Sequence, residues 1–589
     1  MKFLIILASI LNLTWAPDSS RYAYTLDNDL YVCEKGSAQA SRLTSDGSDV
    51  ILNGYASWVY YEEIFGRASK YRAFWWSPDS RKLAFFRFDQ SRVPVFPIYS
   101  AGGQDGSLLL TRYPKAGEPN PEVKIGIIDL DRPENIVWAD FDASQDQYFG
   151  TPFWGADSKA LYVQREPRVQ NHLELYRVDA EDGGKALLYQ EDYPTWLDWI
   201  SGMLFSEDGL YMVRSFETGW EQIYFLPFSG KGCKRLTEGH NWRTKLLKRD
   251  SRGNIWFSSQ RDSRVKSALY RIDKRGRISA VTDTAYNVSA AEISPDGKVV
   301  KAKLSNSHTP EFVWDGRLGP DAYGPAPKRG IPVPYIVKIK AEDGQMMYGK
   351  IYYPADFDTL GTFPVHMEIY GGPNTAYVTD IWKEAGEYEK WFYENGIIHL
   401  VADVRVSGHT GRAGTDLAWR DLQTAAQTDF LTWAAWLRTL PYVDASRLGV
   451  EGFSFGGTNT ALLLINHSDV FRCGIAGGGV YDWMLYDSHY TERFMDTPEN
   501  NPAGYARTVM SQVDNYPGDG SSMLRLTHGT GDDNVHFQNS LQLIKELQLK
   551  GKRFELMIYP DGLHGYRGAQ RAHCLKDEQA FWRKYLLNH

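Results

Sequence analysis

Gly452-Phe453-Ser454-Phe455-Gly456-Gly457 is the stretch that decides the fold of the second half of this chain. Its Gly-x-Ser-x-Gly pattern allows a sharp turn from a strand into a helix, because the flanking residues are small. Arg447–Val450 before it has the composition of a short buried strand, and Thr458–Ile465 after it that of an apolar helix. The bare pattern is frequent by chance in glycine-rich connections. With this strand and helix around it, it predicts that Ser454 is a nucleophile.

Two later loops contain the other groups that a serine nucleophile requires, an acid and a histidine. Leu524–Val535 is an apolar strand leading into a turn, and Leu556–Gly565 is a second apolar strand leading into a loop. Hydrolases with this elbow place the acid and then the histidine after later strands of the sheet. We therefore expect His564 to take the proton of Ser454, and Asp532 to orient the imidazole.

Other residues near these loops remain alternatives at this point. Asp533 is the nearest competitor of Asp532 for the role of the acid, and Asp561 comes after it. A carboxylate beside a histidine loop is more often a turn former than a catalytic acid. His528 and His536 flank the first loop, and each taken alone is predicted to be structural.

The tetrahedral intermediate of acyl transfer also requires hydrogen-bond donors for its oxyanion. The backbone N–H of Phe455, which follows the nucleophile, is predicted to be one of them. This chemistry uses no metal ion and no organic cofactor, so we expect neither.

From about residue 14 to residue 330 the chain consists of recurring strands without a convincing amphipathic helix. Each unit begins with an aromatic or apolar residue and a tight turn containing aspartate, followed by an alternating strand. Repetition of this kind predicts propeller blades that carry insertions, and a pair of β-sandwiches is the competing interpretation. The copies are Trp15–Asp18, Trp76–Asp79, Trp154–Asp157, Phe205–Asp208, Ile293–Asp296 and, more weakly, Asp250–Gly253.

The pattern changes near Gly330–Pro334, after which strands and helices alternate. Alternation of this kind predicts a mostly parallel, doubly wound sheet, as in α/β-hydrolases. We therefore expect an all-β propeller domain over residues 1–330 and an α/β-hydrolase domain over residues 331–589. The clearest elements of the second domain are the strands Pro364–Tyr370 and Gly396–Asp403 and the helix within Gln427–Leu440.

Composition excludes several classes of function. The chain has 589 residues, enough for at least two domains, and a net charge of −8 from 65 basic and 73 acidic residues. No basic block stands out, so nucleic acid is not an expected partner. The four cysteines are too scattered to predict a disulfide scaffold or a zinc site.

The N-terminus allows two interpretations. Lys2 followed by the apolar run Phe3–Leu11 resembles a signal peptide over residues 1–16, with cleavage after Ala16. Trp15 and Ala16, however, belong to the first copy of the repeated turn, so a buried first strand explains the same residues. Both interpretations stay open.

Four longer phrases are more selective than the elbow. They are Trp58–Phe65, Arg112–Gly117, Tyr486–Arg493 and His528–His536. With them, nearly the whole chain resembles the dipeptidyl peptidase IV family of serine peptidases, in the prolyl oligopeptidase superfamily. The resemblance implies a β-propeller joined to a C-terminal α/β-hydrolase domain.

The resemblance also implies roles for individual residues. Glu62 and Glu63 match the paired glutamates that hold the free N-terminal amine of the substrate. Tyr370 matches a tyrosine whose hydroxyl is the second oxyanion donor, and Asn534 matches a residue that binds a substrate carbonyl. The wall of the pocket that accepts proline is matched by Val480, Trp483, Tyr486, Tyr490 and Val535.

The activity implied is that of a serine exopeptidase that releases N-terminal Xaa-Pro or Xaa-Ala dipeptides from peptides with a free N-terminus. A prolyl tripeptidyl peptidase, which is expected to keep one of the two glutamates, is the first alternative. A catalytically inactive propeller–hydrolase protein that binds partners is the second. A homodimer is a candidate assembly, and the resemblance implies a secreted or periplasmic location.

The chain also departs from the family pattern. Phe453 and Phe455 replace tryptophan and tyrosine beside the nucleophile, and Asp403–Gly408 replaces a more glycine-rich phrase. The family has a longer N-terminal part, with a first blade and a substrate-binding arginine, and eight blades where six units are visible here. An open propeller exposes sheet edges. We therefore expect the chain to be a fragment or to start at a misassigned codon.

Overall fold

The repeated turn phrases each join two hydrogen-bonded strands. The computed structural model describes residues 11–230, 232–316, 324–328 and 330–587, and in its first part antiparallel strands form six successive sheets. The first sheet contains β1 (Leu11–Trp15), β2 (Arg21–Leu26), β3 (Asp29–Glu34) and β4 (Ala40–Arg42). The second contains β5 (Ile51–Asn53), β6 (Phe74–Trp76), β7 (Lys82–Asp89), β10 (Glu122–Asp129) and β11 (Ile136–Trp138), and between β7 and β10 the chain forms a separate hairpin of β8 (Val95–Ser100) and β9 (Ser107–Arg112). The third contains β12 (Gln147–Phe149), β13 (Phe153–Trp154), β14 (Ala160–Pro167), β15 (His172–Asp179) and β16 (Lys185–Asp192).

The next three sheets repeat the arrangement with fewer strands. They contain β17 (Met203–Phe205), β18 (Gly209–Arg214), β19 (Gln222–Pro227) and β20 (Lys234–Arg235); β21 (Lys245–Arg249), β22 (Ile255–Ser259), β23 (Ala268–Ile272) and β24 (Ile278–Ala280); and β25 (Asn287–Ile293), β26 (Val300–Asn306) and β27 (Thr309–Trp314).

Aspartate side chains explain why the turn phrases recur. In the second sheet Asp79 accepts hydrogen bonds from the Ser77 hydroxyl at 2.6 Å and from the N–H of Arg81 at 3.1 Å. In the sixth sheet Asp296 accepts the equivalent bonds from Ser294 at 2.7 Å and Lys298 at 3.1 Å. A short acidic side chain that bonds to the backbone two residues later closes a tight turn. The prediction of repeated antiparallel units is confirmed.

The first strand corrects one sequence interpretation. β1 is an outer strand of its sheet, and its alternate residues Leu11, Leu13 and Trp15 are about half exposed, so the part of the first strand that the structure describes is not buried. The rest of the proposed signal peptide, residues 1–10, lies outside the described residues. No helix in the described ranges has both the length and the apolar character needed to cross a membrane.

The second part of the chain is built on one eight-stranded sheet, in the order β28-β29-β31-β30-β32-β33-β34-β35. The six strands from β30 to β35 pair in parallel with their neighbours. At one edge of the sheet, β29 pairs antiparallel with β31, and β28 pairs antiparallel with β29. The predicted mostly parallel sheet is therefore confirmed. The strands are β28 (Tyr335–Lys340), β29 (Met346–Tyr352), β30 (Phe363–Ile369), β31 (Ile398–Ala402), β32 (Val443–Phe453), β33 (Cys473–Gly477), β34 (Met523–Gly529) and β35 (Glu555–Tyr559).

Helices cover both faces of this sheet, as expected for a doubly wound fold. Phe430 and Trp433 of α3 pack in the main core on one face, and Phe392 of α1 and Trp582 of α8 pack around β33 on the other. The helices are α1 (Glu387–Glu394), α2 (Arg412–Thr415), α3 (Thr424–Thr439), α4 (Phe455–Asn466), α5 (Ser488–Met495), α6 (Pro502–Ala506), α7 (Gln538–Leu549) and α8 (Gly568–Trp582). Short 3₁₀ or π-helical turns cover Tyr60–Ile64, Arg67–Ser69, Arg405–Ser407, Asp416–Ala418, Trp483–Leu485, Met510–Asn515 and Arg583–Leu587.

The two parts of the chain meet through the selective phrases. The Tyr113 hydroxyl donates to the carbonyl of Asn534 at 3.0 Å, and the N–H of Ala116 donates to the carbonyl of Tyr486 at 3.0 Å. Arg168, next to β14, forms two hydrogen bonds of 2.6 and 2.7 Å with the buried Glu492 of α5. Contacts of this kind fix the β-sheet part against the loops that surround Ser454.

Candidate active site

Ser454 lies on a strained turn between β32 and α4. Its φ of 58° and ψ of −121° are rare for a residue with a side chain. The turn is possible because glycines surround it: a Cβ on Gly452 would lie 2.4 Å from the backbone of Gly456, and one on Gly456 would lie 2.4 Å from the carbonyl oxygen of Ile369. This geometry presents the serine side chain at the end of the strand, as the elbow pattern predicted.

Asp532 and His564 form the acid–imidazole pair of the site. The Asp532 carboxylate lies 2.8 Å from His564 Nδ1, and its other oxygen accepts the N–H groups of Asn534 and Val535, each at 3.0 Å. Burial alone would raise the pKa of Asp532, but the imidazoles of His564 and His528, which both lie within hydrogen-bonding distance of its carboxylate, outweigh that effect and hold the pKa well below its ordinary value. The acid is therefore held as a carboxylate, which fixes the tautomer of His564.

The imidazole also lies beside the elbow. The ring of Phe453, the residue before the nucleophile, is 5.0 Å from the His564 ring. Within the described part of the chain, no hydrogen bond joins the Ser454 hydroxyl to His564, and the hydroxyl instead contacts Tyr370. Catalytic hydrogen bonds in unliganded sites are commonly long or misaligned and tighten when substrate binds.

Of the candidate acids, Asp532 is the one that pairs with His564 among the described residues. Asp533 pairs with Arg67 at 3.2 Å, and the N–H of Asp561 donates to the hydroxyl of Thr530 at 2.9 Å. Of the two flanking histidines, His528 contacts Ser540, Val535 and Asp532, so it supports the acid loop from behind. His536 stacks on Phe96 at 3.7 Å. These positions favour Asp532 as the acid, although its catalytic role stays a prediction.

The two predicted oxyanion donors come from different elements of the hydrolase domain. Phe455 is the first residue of α4, where a backbone N–H has no partner within the helix. Tyr370 follows β30, and burial raises its pKa to about 12, so its hydroxyl keeps its proton. Tyr377 stacks on the Tyr370 ring at 5.0 Å and limits its rotation.

Three of the five residues predicted to form the proline pocket are aromatic, and their rings lie close to one another. Trp483 lies 5.4 Å from Phe455 and 6.4 Å from Tyr490, and Tyr486 lies 5.5 Å from Tyr490. Val480 and Val535 are buried in the same core. The structure therefore brings Trp483, Tyr486 and Tyr490 into ring contact beside the elbow. That these residues line a slot for a compact ring stays a prediction.

The acidic turn reaches this slot from the β-sheet part of the chain. Asn534 Nδ2 donates to Glu62 at 2.7 Å, and the Tyr486 hydroxyl donates to Asn534 Oδ1 at 2.8 Å. Burial raises the pKa of Glu62, and burial beside Asp487 and Glu62 raises that of Glu63 well above its ordinary value. An environment that disfavours additional negative charge favours an arriving ammonium group.

Sequence reasoning missed two residues at this site. Arg67 pairs with Glu62 at 2.5 Å and with Asp533, and Tyr113 donates to the Asn534 carbonyl. Tyr113 lies in one of the selective phrases, whereas Arg67 lies just beyond Trp58–Phe65. The one sequence signal for Arg67 was a single basic residue a few positions after two adjacent glutamates.

Among the described residues, no group of three or more histidine, cysteine, aspartate or glutamate side chains is arranged to hold a metal ion.

Comparisons with known proteins agree with this arrangement. Residues 7–311 match the family described as the dipeptidyl peptidase IV N-terminal region, and residues 386–589 match the prolyl oligopeptidase family. The chain belongs to the dipeptidyl peptidase IV family of the prolyl oligopeptidase superfamily. Its fold is accordingly a β-propeller followed by an α/β-hydrolase domain, and the β-sandwich interpretation was wrong.

Individual members of the dipeptidyl peptidase IV family show how far the likeness extends. A probable dipeptidyl-aminopeptidase B of Uncinocarpus reesii is 28% identical over 94% of this chain, which spans 64% of that relative. A probable dipeptidyl peptidase 4 of Aspergillus fumigatus is also 28% identical, over 94% of this chain and 76% of its own length. The crystal structure of Porphyromonas gingivalis dipeptidyl peptidase 4 superposes with a TM-score of 0.88 at 27% identity, covering 98% of this chain and 83% of that one.

The acid assignment can be tested at Ser454 itself. Replacing Asp532 with Asn should slow fluorophosphonate modification of Ser454 by on the order of 10³- to 10⁴-fold, because the wrong His564 tautomer is then favoured. Asp561→Asn is the matched control and should leave the rate within about twofold, since Asp561 is exposed and, among the described residues, its carboxylate makes no hydrogen bond or ion pair with His564. Equal rates in the two variants would contradict the assignment of Asp532.

Proposed function

We propose that this chain is a serine exopeptidase that releases N-terminal Xaa-Pro or Xaa-Ala dipeptides. The observation that carries the proposal is the 2.7 Å hydrogen bond between Asn534 and Glu62. It fixes an acidic turn of the propeller beside the pocket and the acid loop of the hydrolase domain. An acidic turn at that position limits how many residues of a substrate fit between the anchored amine and Ser454.

The reaction follows from the positions of these groups. The ammonium of the substrate would lie at the acidic turn, and the ring of the second residue in the aromatic slot. Ser454 then attacks the carbonyl carbon while His564 takes its proton, and the Phe455 N–H with the Tyr370 hydroxyl stabilises the oxyanion. His564 returns the proton to the leaving amine, and water, activated by the same imidazole, hydrolyses the acyl-enzyme.

Chromogenic amides distinguish this activity from its alternatives. The purified chain should cleave the amide of Gly-Pro faster than that of Ala-Ala-Pro, because the longer peptide places its amine beyond the acidic turn. The measurement is kcat/KM for each amide, with Ser454→Ala as the control.

Preference for Ala-Ala-Pro would identify a prolyl tripeptidyl peptidase instead. Activity no greater than that of the Ser454→Ala variant would favour a protein that binds partners without catalysis.

The pH dependence of KM tests the acidic anchor. Since burial beside Asp487 and Glu62 raises the pKa of Glu63, its ammonium-binding carboxylate form is lost at a higher pH than for an ordinary glutamate. As the pH falls, KM for the Gly-Pro amide should start to rise at a higher pH than protonation of an ordinary glutamate would require, and it should rise again above about pH 8, where the α-amino group loses its proton. In Glu63→Gln the rise on the acid side should disappear. A KM that stays constant from pH 8 to pH 5 in the unmodified chain would contradict the anchor.

We also propose that the chain forms a homodimer through the β8–β9 hairpin. Leu108, Leu109 and Leu110 on this hairpin are 59%, 57% and 63% exposed, and Val95 and Tyr99 on its other strand are also exposed. Because Tyr99 pairs with Leu108 and Pro97 with Leu110, the side chains of Val95, Tyr99, Leu108 and Leu110 share one face of the hairpin. Exposed apolar surface of this kind favours association of two copies. A secreted or periplasmic location is likewise a proposal, supported by the family resemblance.

Light scattering after size-exclusion chromatography tests the assembly. The unmodified chain should have the mass of a dimer, and replacing Leu108, Leu109 and Leu110 with serine should yield monomers. Leu360→Ser, which alters an exposed leucine of the hydrolase domain, is the control and should remain dimeric. A dimer that survives the triple replacement would exclude the hairpin as the interface.

A further inference from the structure

The segment that follows the predicted oxyanion donor Tyr370 contacts the propeller. The N–H of Asp380 donates to the carbonyl of Val265 at 2.7 Å, and the Asp380 carboxylate accepts from Lys266 Nζ at 2.9 Å. Val265 also packs with Val378 in a small core that both domains share. These propeller residues lie in the loop between β22 and β23, which therefore holds the segment from one side.

Asp403 holds the same segment from within the hydrolase domain. Its carboxylate accepts the N–H of Tyr377 at 3.0 Å and the N–H of Val378 at 2.8 Å. Because the ring of Tyr377 stacks on that of Tyr370 at 5.0 Å, Asp403 fixes the support of the oxyanion donor. The Asp403 side chain is completely buried, and a buried carboxylate requires partners that compensate for its lost hydration.

His409 joins Asp403 to the propeller loop. Its Nε2 lies 2.8 Å from the Asp403 carboxylate, and its Nδ1 lies 2.9 Å from the carbonyl oxygen of Arg264. A carbonyl oxygen can only accept a hydrogen bond, so Nδ1 carries a proton. A second proton lies between Nε2 and Asp403, because without it both groups would be acceptors. The buried imidazole thus bridges the two domains through two directed hydrogen bonds.

We propose that His409 is a positioning residue for the oxyanion donor. It connects the Arg264 carbonyl of the propeller to Asp403, and through Asp403 and Tyr377 it fixes the orientation of Tyr370. His409 directly follows Asp403–Gly408, the phrase in which this chain departs from the family pattern. The inference rests on the proposed acyl transfer at Ser454, but not on the length of the peptide that is released.

A double-mutant cycle with Tyr370 tests this path. The readout is the rate at which a small fluorophosphonate modifies Ser454, a reaction in which the phosphoryl oxygen occupies the oxyanion site. Tyr370→Phe should slow it by on the order of 10²- to 10³-fold, the usual result of losing one oxyanion donor. His409→Phe should slow it by about 10-fold, because small displacements of catalytic groups are costly. The double variant should be no slower than Tyr370→Phe, since His409 acts only through the Tyr370 hydroxyl.

Steady-state kinetics with the Gly-Pro amide give a second readout. His409→Phe should lower kcat by about 10-fold and leave KM within about twofold, as expected when an interaction made only in the transition state is weakened. His409→Gln retains one donor and should recover part of kcat. Tyr193→Phe is the matched control, because it removes a different interdomain hydrogen bond, of 2.7 Å to Asp416, and its kinetics should be unchanged.

Three results would overturn the proposal. The first is a further 10-fold loss when His409→Phe is added to Tyr370→Phe, because the two changes would then act independently. The second is a raised KM with an unchanged kcat. The third is an equal loss of kcat in Tyr193→Phe, since general loosening of the domain interface would then explain all the variants.

Two further measurements keep these outcomes distinct. If circular dichroism shows that His409→Phe does not fold, the same cycle is carried out with His409→Gln, where a loss that disappears beside Tyr370→Phe supports the proposal, and an additive loss or no loss overturns it. If the unmodified chain leaves the amide uncleaved while Ser454 is still modified, the proposed exopeptidase function fails, and the fluorophosphonate cycle still decides the role of His409. If Ser454 is not modified either, the inference fails together with the nucleophile.

Discussion

The hydrogen bonds of Asn534 are the interaction on which the geometry of this site depends. One short side chain is held between a carboxylate of the propeller and a tyrosine of the pocket, and its backbone supports the acid of the triad. Its carbonyl is occupied as well, by Tyr113 of the propeller. A hydrogen bond to a charged group contributes about 1.5–3 kcal/mol, and loss of this one would leave Glu62 buried without its neutral partner. Asn534 thus links the predicted anchor, pocket and catalytic acid, in addition to the other contacts between the two parts of the chain.

Around this junction the protein buries more negative than positive charge. Burial raises the pKa of Asp487 to about 7, and one of its oxygens has no hydrogen-bond partner, while the other accepts the N–H of Tyr490. Together with Glu63, this carboxylate makes the free site electrostatically unfavourable. Such a cost is tolerated where a cationic ligand relieves it, and sites of this kind are characteristic of function rather than stability. Arg67 cannot relieve it completely, because both Glu62 and Asp533 already occupy its guanidinium.

Local patterns made much of the fold predictable from sequence. The elbow follows from the glycines around Ser454, and the propeller turns follow from aspartates that bond to the backbone two residues later. The choice between Asp532 and Asp533 could not be predicted from a local pattern, because two adjacent carboxylates in one turn differ only in the direction in which their side chains point. Pocket residues such as Val535 are buried and read as ordinary core, so only the family resemblance selected them. Arg67 was missed because its partner Asp533 lies 466 positions away, and no local pattern encodes such a contact.

The departures from the family pattern leave the predicted chemistry intact for physical reasons. Phe455 in place of tyrosine removes a hydroxyl from the pocket, but the oxyanion donor at this position is a backbone N–H, which no side chain alters. The other donor, Tyr370, is supported by Tyr377. That residue is held in turn by Asp403, whose carboxylate accepts its N–H at 3.0 Å. Asp403 opens the phrase Asp403–Gly408 that distinguishes this chain, so the altered phrase still fixes the loop behind the second oxyanion donor.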